Sequence, residues 1–520
     1  MRRAGEIRLP FDHDERAFRE ALSRLGIGPG DRWTILRKSL DARRKGRIRW
    51  VYAIGVDEGT GPPETAPPVL RAAPDPRPVV VGSGPAGLFA AYRLASLGVP
   101  PVLLEQGPPL APRMRAIARF VRRGTLDPRA NLCFGAGGAG TFSDGKLGTR
   151  VRSPHRRLVL ETLVGLGAPE EILWLAAPHL GSNGIRRLIA RLLARLESMG
   201  AEVRFGAQVD GLLTRDGRCA GVVLTGGREL AASHVVLATG HSARALYRSV
   251  ARSGVAMVRK GFAVGARLEH PAPLVERIQY GDAAGHPALP PATYRLATTW
   301  GTEAGERALY SFCMCPRGFV LNAATESDGV VSNGMSNRPP RAGRSNAAFV
   351  VPVRDDDIPS DDPLHALEWQ RAIETAAARA ANPEGGCHAL PAQTLPAFLD
   401  GRGDRELPAS GALVPVCPAR LDLLLPPFVV EAMRTGFDRL SRSVPGLVGS
   451  DGLLVGVETR TSSPVRIVRD RATFESVSLP GLYPVGEGAG YAGGIVSAAI
   501  DGIAAADALL ATLPPAHCEL

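Results

Sequence analysis

The residues best suited to do chemistry lie between positions 78 and 105. Pro78-Val79-Val80-Val81 is a short apolar run of the kind that forms a strand buried on both faces. Gly82-Ser83-Gly84-Pro85-Ala86-Gly87 follows at once, and a helical stretch, 88–97, ends at Gly98. A second apolar run, Pro101-Val102-Leu103-Leu104, stops on Glu105. Strand, glycine turn, helix, strand and acid in this register form a dinucleotide-binding fingerprint. Gly82 makes the tight turn, Gly84 admits a pyrophosphate to the backbone, and Gly87 lets helix and strand pack closely. The helix N-terminus turns unpaired N–H groups and the positive end of its dipole toward phosphate. Glu105, 23 residues beyond Gly82, stands where a carboxylate accepts ribose hydroxyls.

Other reactive types are scattered further along. Cys313 and Cys315 are two apart on an expected strand, so they share a face with α-carbons ~6.6 Å apart. That is the long edge of disulfide geometry. No CxxxxC pair follows the glycine-rich turn. Buried structural thiols are the favoured reading of the pair, a redox or substrate-contacting role the alternative. Glu458-Thr459-Arg460 and Arg466 gather charge near the C-terminus. Arginine there either binds an anionic substrate by bidentate geometry or ties two domains together by ion pairs. Residues 135–147 are a second glycine-rich loop, but no apolar strand precedes it, so it is not a second fingerprint. The seven cysteines are too scattered for a zinc site or a disulfide framework, and no metal is expected.

The scaffold for these residues reads as α/β. Residues 1–56 alternate as a strand (6–9), an amphipathic helix (14–25) and two strands (33–39, 48–54), which suits a small ferredoxin-like α+β domain. A Pro- and Gly-rich linker, 57–76, follows. A Rossmann-type cofactor domain is expected in two parts, 77–260 and 464–515, around an inserted mixed α/β substrate domain at 261–463. With 520 residues, 45% apolar and 22% charged, the chain has ample core for several domains. No apolar run approaches the 18 residues of a membrane span, and no apolar segment follows the basic start, so a cytoplasmic protein without membrane contact is expected. The net charge of +11 is concentrated at the N-terminus, where residues 1–50 hold 14 Lys/Arg against 7 Asp/Glu. A solvated or interdomain face explains this better than nucleic acid, because 28 aromatic residues leave little for base stacking.

Remote segments decide which dinucleotide is held. Residues 232–240 form an apolar strand ending Ala-Thr-Gly, and 481–490 lead through Gly486-Glu487-Gly488 into a helix at 494–510. This arrangement resembles the glutathione-reductase-like and p-hydroxybenzoate-hydroxylase-like flavoproteins, which implies FAD. More narrowly, residues 131–147, 238–244, 310–316, 333–336, 458–466 and 486–494 are similar to a bacterial family of uncharacterised FAD-dependent dehydrogenases, also described as NAD(FAD)-utilising. The resemblance implies cofactor contacts at Gly82, Ser83, Gly84, Pro85, Ala86, Gly87, Glu105, Gln106, Arg113, Gly137, Gly138, Lys146, Val209, Gly240, Gly486, Glu487, Gly494 and Ile495. Glu487 would bind a ribityl hydroxyl, and the helix near Gly494 would aim its positive end at the flavin. Lys146 would stabilise negative charge on the reduced ring, a surface salt bridge being the alternative. Arg113 and Arg115 would reach the FAD phosphates, against a solvated helix face. Lys146, Arg460 and Cys313 are the candidate catalytic residues. Cys315-Pro316-Arg317-Gly318 departs from the paired glycines of the family at that turn. The expected function is a flavin-dependent hydride transfer to or from a small organic substrate. NADH or NADPH would be a transient donor. A dehydrogenase or oxidase needing neither, an electron-donor protein as partner, and an RNA-acting flavoenzyme are the competitors.

Overall fold

The computed structural model describes residues 2–56, 69–303, 305–358 and 360–516. Residues 57–68 of the expected linker lie outside them. Residues 69–76 do not behave as a free tether. The Arg71 amide donates to the Leu97 carbonyl and the Ala72 amide to that of Pro514, stitching the segment to both ends of the cofactor unit.

The N-terminal unit orders its strands Arg2–Pro10, Arg49–Val56, Trp33–Asp41, all antiparallel, with the helix Glu15–Arg24 between the first and second in sequence. That is the split β-α-β half of a ferredoxin-like sheet; among the described residues no fourth strand of its own completes it. Asp14 caps the helix by accepting the Ala17 amide at 2.8 Å. Ile7, Leu9, Leu22, Ile27, Tyr52 and Ile54 fill the space beneath.

The next unit is a five-stranded parallel sheet, in the order Leu482–Pro484, Val235–Leu237, Val79–Val81, Val102–Glu105, Glu202–Phe205. Its strands read as continuous apolar runs because both faces are covered. Successive side chains go to opposite faces. Val80, Leu103, Val236 and Tyr483 pack with the helices Pro85–Ser96, His155–Gly165, Gly181–Ser198 and Ile495–Ala511. Val79, Val81, Leu104, Val235 and Leu237 pack with the helix Arg244–Arg252 and the meander Val209–Arg215, Arg218–Leu224, Arg228–Ala231. The edge strand Leu482–Pro484 comes from the far end of the chain, so the sheet is assembled from two stretches of sequence.

Between those stretches lies a seven-stranded sheet, in the order Ala297–Thr302, Gly305–Cys315, Arg344–Val353, Phe262–Pro271, Leu453–Glu458, Leu390–Thr394, Val416–Pro418. Only its last pairing is parallel. The helices Pro427–Ser443 and His365–Ala381 pack against it, with Phe349, Phe437, Ile373 and Leu390 in the shared core. Met257–Arg259 pairs with Val465–Ile467, joining the chain where it leaves the cofactor unit to where it returns.

Candidate functional site

The glycines of the fingerprint differ in what surrounds them. A Cβ on Gly87 would sit 1.9 Å from the Gly82 carbonyl oxygen, and one on Gly82 (φ +103°) 2.5 Å from that of Ala238. Both positions are closed by backbone, as the turn and the helix–strand contact demand. Gly84 differs: a Cβ there would meet nothing within 4 Å. It is the N-cap of the helix Pro85–Ser96 and no side chain caps it. Among the described residues no side chain caps this helix end, where a pyrophosphate would meet the backbone N–H groups. The helix Ile495–Ala511 begins the same way, at Gly494, without a side-chain cap.

The other expected contacts converge on this end of the sheet. Gly138 lies so close that a Cβ would be 3.0 Å from the Gly84 Cα, and one on Gly140 would touch both Pro85 and Ile495. Gly486 abuts Ala86, and a Cβ on Gly488 would be 2.7 Å from the Gly240 backbone. Glu105 is buried and accepts from the Ser83 hydroxyl (2.7 Å), the Ser83 amide (3.1 Å), the Gly107 amide (2.9 Å) and the Gly135 amide (3.0 Å). Gly137 donates to the Ser83 oxygen at 3.3 Å. The carboxylate thus joins the fingerprint to the second glycine-rich loop. Gln106 is half-buried beside it, and Val209 is buried at the start of its strand.

Two expectations are corrected by burial. Arg113 is fully enclosed and donates to four carbonyls of the loop, those of Asn131, Leu132, Gly135 and Ala136, at 2.7–3.1 Å. It clamps the loop from behind and offers no phosphate contact; Arg115 is exposed, the solvated alternative. Arg460 grips both oxygens of Glu374 (2.7 and 3.0 Å) and reaches Ser242 and Thr325 at 3.1 and 2.9 Å. Arg244, from the cofactor unit, holds the same carboxylate from the other side at 2.8 Å. Burial pushes the Glu374 carboxyl up, but the two guanidiniums overcome this and hold it at about 2. Of the two readings of Arg460, the interdomain ion-pair network is the one seen, and its guanidinium is not free for a substrate.

Glu487 accepts the Ser463 amide at 3.0 Å, and His241 Nδ1 lies 3.7 Å away with no hydrogen-bond partner of its own. Burial raises the Glu487 carboxyl, and His241, the Ser463 amide and Lys260 outweigh it, so the group stays below the usual carboxylate range. Tyr247 donates to the Gly488 carbonyl next door. Sequence reasoning missed His241 as a neighbour of Glu487 and passed over Tyr247 and Lys260, because only the fold brings 241–260 against 463–488.

Lys146 is neither free nor a simple surface pair. Its ammonium lies 2.6 Å from the buried Asp144 carboxylate and donates to the Met314 carbonyl, between Cys313 and Cys315. Beside them, Arg267 is wholly buried and bound to both oxygens of Glu458 at 2.7 and 3.0 Å, to Asn346 at 2.9 Å and to the Cys313 carbonyl at 3.2 Å. The strand register slips by one residue between Phe312 and Cys315, and Cys313 takes φ +45°. The turn that follows places Arg317 at φ +42°, held by an ion pair to Glu276 (2.6 Å) and by Ser345 (3.0 Å). The departure from paired glycines is absorbed in this way. The signal for Arg267 was a pair of charges, Arg267 and Glu269, inside the strand Phe262–Pro271.

Comparison with known proteins bears on the same regions. Residues 80–139 match an NAD(P)-binding Rossmann-like domain, 174–302 an FAD dependent oxidoreductase family, and 261–461 the family described as FAD-dependent protein, C-terminal domain-like. Residues 1–57 match a domain of unknown function. An uncharacterized protein of Clostridium beijerinckii is 36% identical over 537 residues, covering 98% of each chain. Among solved structures, a geranylgeranyl bacteriochlorophyll reductase-like protein from Thermoplasma acidophilum is 15% identical, covering 83% of this chain and 77% of that one with a TM-score of 0.33. The glycerol-3-phosphate dehydrogenase of Bacillus halodurans, complexed with FAD, is 12% identical over 85% and 66% of the two chains with a TM-score of 0.36. The class is that of the FAD-dependent oxidoreductases. The chain belongs to the same family as the Clostridium beijerinckii protein. Among the described residues, no helix is long and apolar enough to cross a membrane.

Proposed function

We propose that the enzyme moves a hydride through FAD to or from a small organic substrate, with NADH or NADPH as a transient donor. The open space over Gly84, at an uncapped helix N-terminus, carries this reading, because it leaves room for a pyrophosphate beside the positive end of the helix dipole. When bound, FAD supplies reversible two-electron chemistry. The chain's own groups bind and orient it. The Gly84, Ala86 and Gly87 amides take the pyrophosphate, with Gly137 and Gly138 closing over it. Glu105, held by Ser83, Gly107 and Gly135, is the carboxylate that accepts the ribose hydroxyls. Glu487 accepts a ribityl hydroxyl, and the N-terminus of Ile495–Ala511 lends positive potential to charge that develops on reduction. Gln106, Val209 and Gly240 line the same crevice. The charge that Lys146 lends is shared with Asp144, 2.6 Å away.

The test is the anaerobic visible spectrum of the purified protein before and after NADH or NADPH. Bleaching of a flavin band supports the pyridine-nucleotide-driven reaction. A yellow protein that both nucleotides leave oxidised overturns the donor and leaves a substrate dehydrogenase, an oxidase or an enzyme fed by a partner protein. A protein that stays colourless after incubation with FAD overturns the cofactor assignment.

A further inference from the structure

The cluster around Cys313 and Cys315 is not used by the function proposed above, and several of its features are uncommon together. Two thiols stand side by side: Cys315 is fully buried and Cys313 half-exposed. The Cys315 thiol donates to the Cys313 carbonyl at 3.4 Å, which holds it against its neighbour two residues back. Cys313 is held in a left-handed backbone conformation at a β-bulge, where a non-glycine residue is strained. Gly334 makes room for the pair, since a Cβ there would be 2.9 Å from the Cys315 sulfur and 2.4 Å from Arg267 Nη1. Lys146 anchors its ammonium on the Met314 carbonyl between the two cysteines, and Arg267 donates to the Cys313 carbonyl. Asp144 comes within 3.9 Å of the Cys315 sulfur. Asp144 and Lys146 belong to the loop that begins by closing over Gly84.

We infer that Cys313 and Cys315 form a redox-active dithiol that reduces a low-molecular-weight disulfide. Cys313 is the attacking sulfur, because it is the accessible one and cations face it. Cys315 is the resolving sulfur, because it is fully buried and its thiol donates to the Cys313 carbonyl beside it. The Cys313 thiolate attacks one sulfur of the substrate disulfide; a mixed disulfide forms and one thiolate leaves. Cys315 then gives up its proton to that thiolate and attacks the Cys313 sulfur. The second substrate thiolate departs and the Cys313–Cys315 disulfide closes. Two electrons pass to the substrate, one S–S bond breaks and one forms. Reopening the internal disulfide takes two electrons and two protons, which a reduced flavin and the solvent supply; in this step alone the inference rests on the proposed cofactor.

Electrostatics agrees with the assignment of roles. The neighbouring Cys315 thiol holds the Cys313 thiol below its usual range, against burial and with help from Lys146 and Arg267. Cys315 is pushed up by its Cys313 neighbour and by burial.

The experiment uses the full-length protein, its FAD content measured first, exposed to glutathione disulfide, quenched and mapped by alkylation and mass spectrometry. Cys313 and Cys315 should lose alkylation together while Cys133, Cys219, Cys387 and Cys417 keep it. Cys315→Ser should accumulate one glutathionyl group on Cys313, and Cys313→Ser none on Cys315. In Lys146→Met the rate of Cys313 alkylation near neutral pH should fall about ten-fold, its pH profile moving up by about one unit. A pair that stays alkylatable in excess glutathione disulfide overturns the inference, as does glutathionylation of Cys315 instead of Cys313. An unmoved pH profile in Lys146→Met overturns the role of the ammonium. A colourless protein that still closes the disulfide supports the dithiol and removes the cofactor reading; a yellow protein whose pair stays reduced does the reverse.

Discussion

At the scale of single residues, the site is defined by which groups still have something to bind. Gly84 has open space before it, while Arg113 and Arg460, which look equally suited to an anion, have spent their donors inside the protein. Gly84→Asp would put a carboxylate where two phosphates belong. The variant should fold, since nothing lies within 4 Å to obstruct it, and should lose at least nine-tenths of its FAD by absorbance; normal FAD content would move the pyrophosphate elsewhere. Glu374 predicts a pH effect. Its folded pKa of about 2 is below its ordinary 4.5, so the stabilisation is fully present above 4.5 and is lost as pH falls from there through about 2. Glu374→Gln takes the buried countercharge from Arg460 and leaves Arg244 paired with Glu326 at 2.9 Å, and should cost about 3–5 kcal/mol. Denaturant unfolding at pH 7 measures the loss, and the acid limb between pH 4.5 and 2 should flatten in the variant. An unchanged limb would assign the acid sensitivity to other carboxylates.

At the scale of elements, close approach is the device that assembles the site. The helices Pro85–Ser96 and Ile495–Ala511 begin at the two glycines that face the crevice, and they cross where Gly502 meets Ala86. A Cβ on Gly502 would be 2.1 Å from the Ala86 carbonyl oxygen. Gly502→Val must therefore push the helices apart, at a cost of about 1–3 kcal/mol or more. Because both N-termini move with the helices, FAD affinity should fall along with the melting temperature. Titration of apoprotein with FAD checks this, and a variant less stable but with unaltered affinity would show that the crevice tolerates the shift.

At the scale of the whole molecule, the three units are joined by buried groups more than by tethers. The N-terminal sheet exposes the edge of Trp33–Asp41, which is closed by Lys38 bonding to Trp174 and Ala176 at 2.8 and 2.9 Å. Ile48 enters the core of the seven-stranded unit. Ile48→Asp would bury a charge without a partner and forfeit apolar contact, at least about 2 kcal/mol of docking. Limited proteolysis should then cleave residues 1–56 first, and cleavage at the wild-type rate would mean that the docking rests on the Lys38 strand edge alone. The strongest connection runs from Arg244 through Glu374 to Arg460, so the cofactor unit and the inserted unit share one buried charge network.

The division between what was legible in the sequence and what was not follows from the range of the forces involved. The strand, turn and helix at 78–97, the acid at 105 and the mixed α/β class could be read directly, because periodicity and glycine chemistry act over a few residues. The two-part cofactor unit was legible for the same reason, each part carrying its own local signature. The N-terminal strands were under-extended, at 6–9 against Arg2–Pro10, because pairing with Arg49–Val56 and not apolar content sets their length. For the charged and sulfur-bearing residues the sequence left alternatives open, such as substrate contact or interdomain ion pair for Arg460, and could not choose between them. Arg113 and Arg460 are bound or free according to carbonyls and carboxylates 18 to 86 positions away. Cys313 and Cys315 acquire Lys146, Asp144 and Arg267 as neighbours only when three segments close on one another. Desolvation and Coulomb interactions depend on distance in space, and distance in space is what tertiary structure decides.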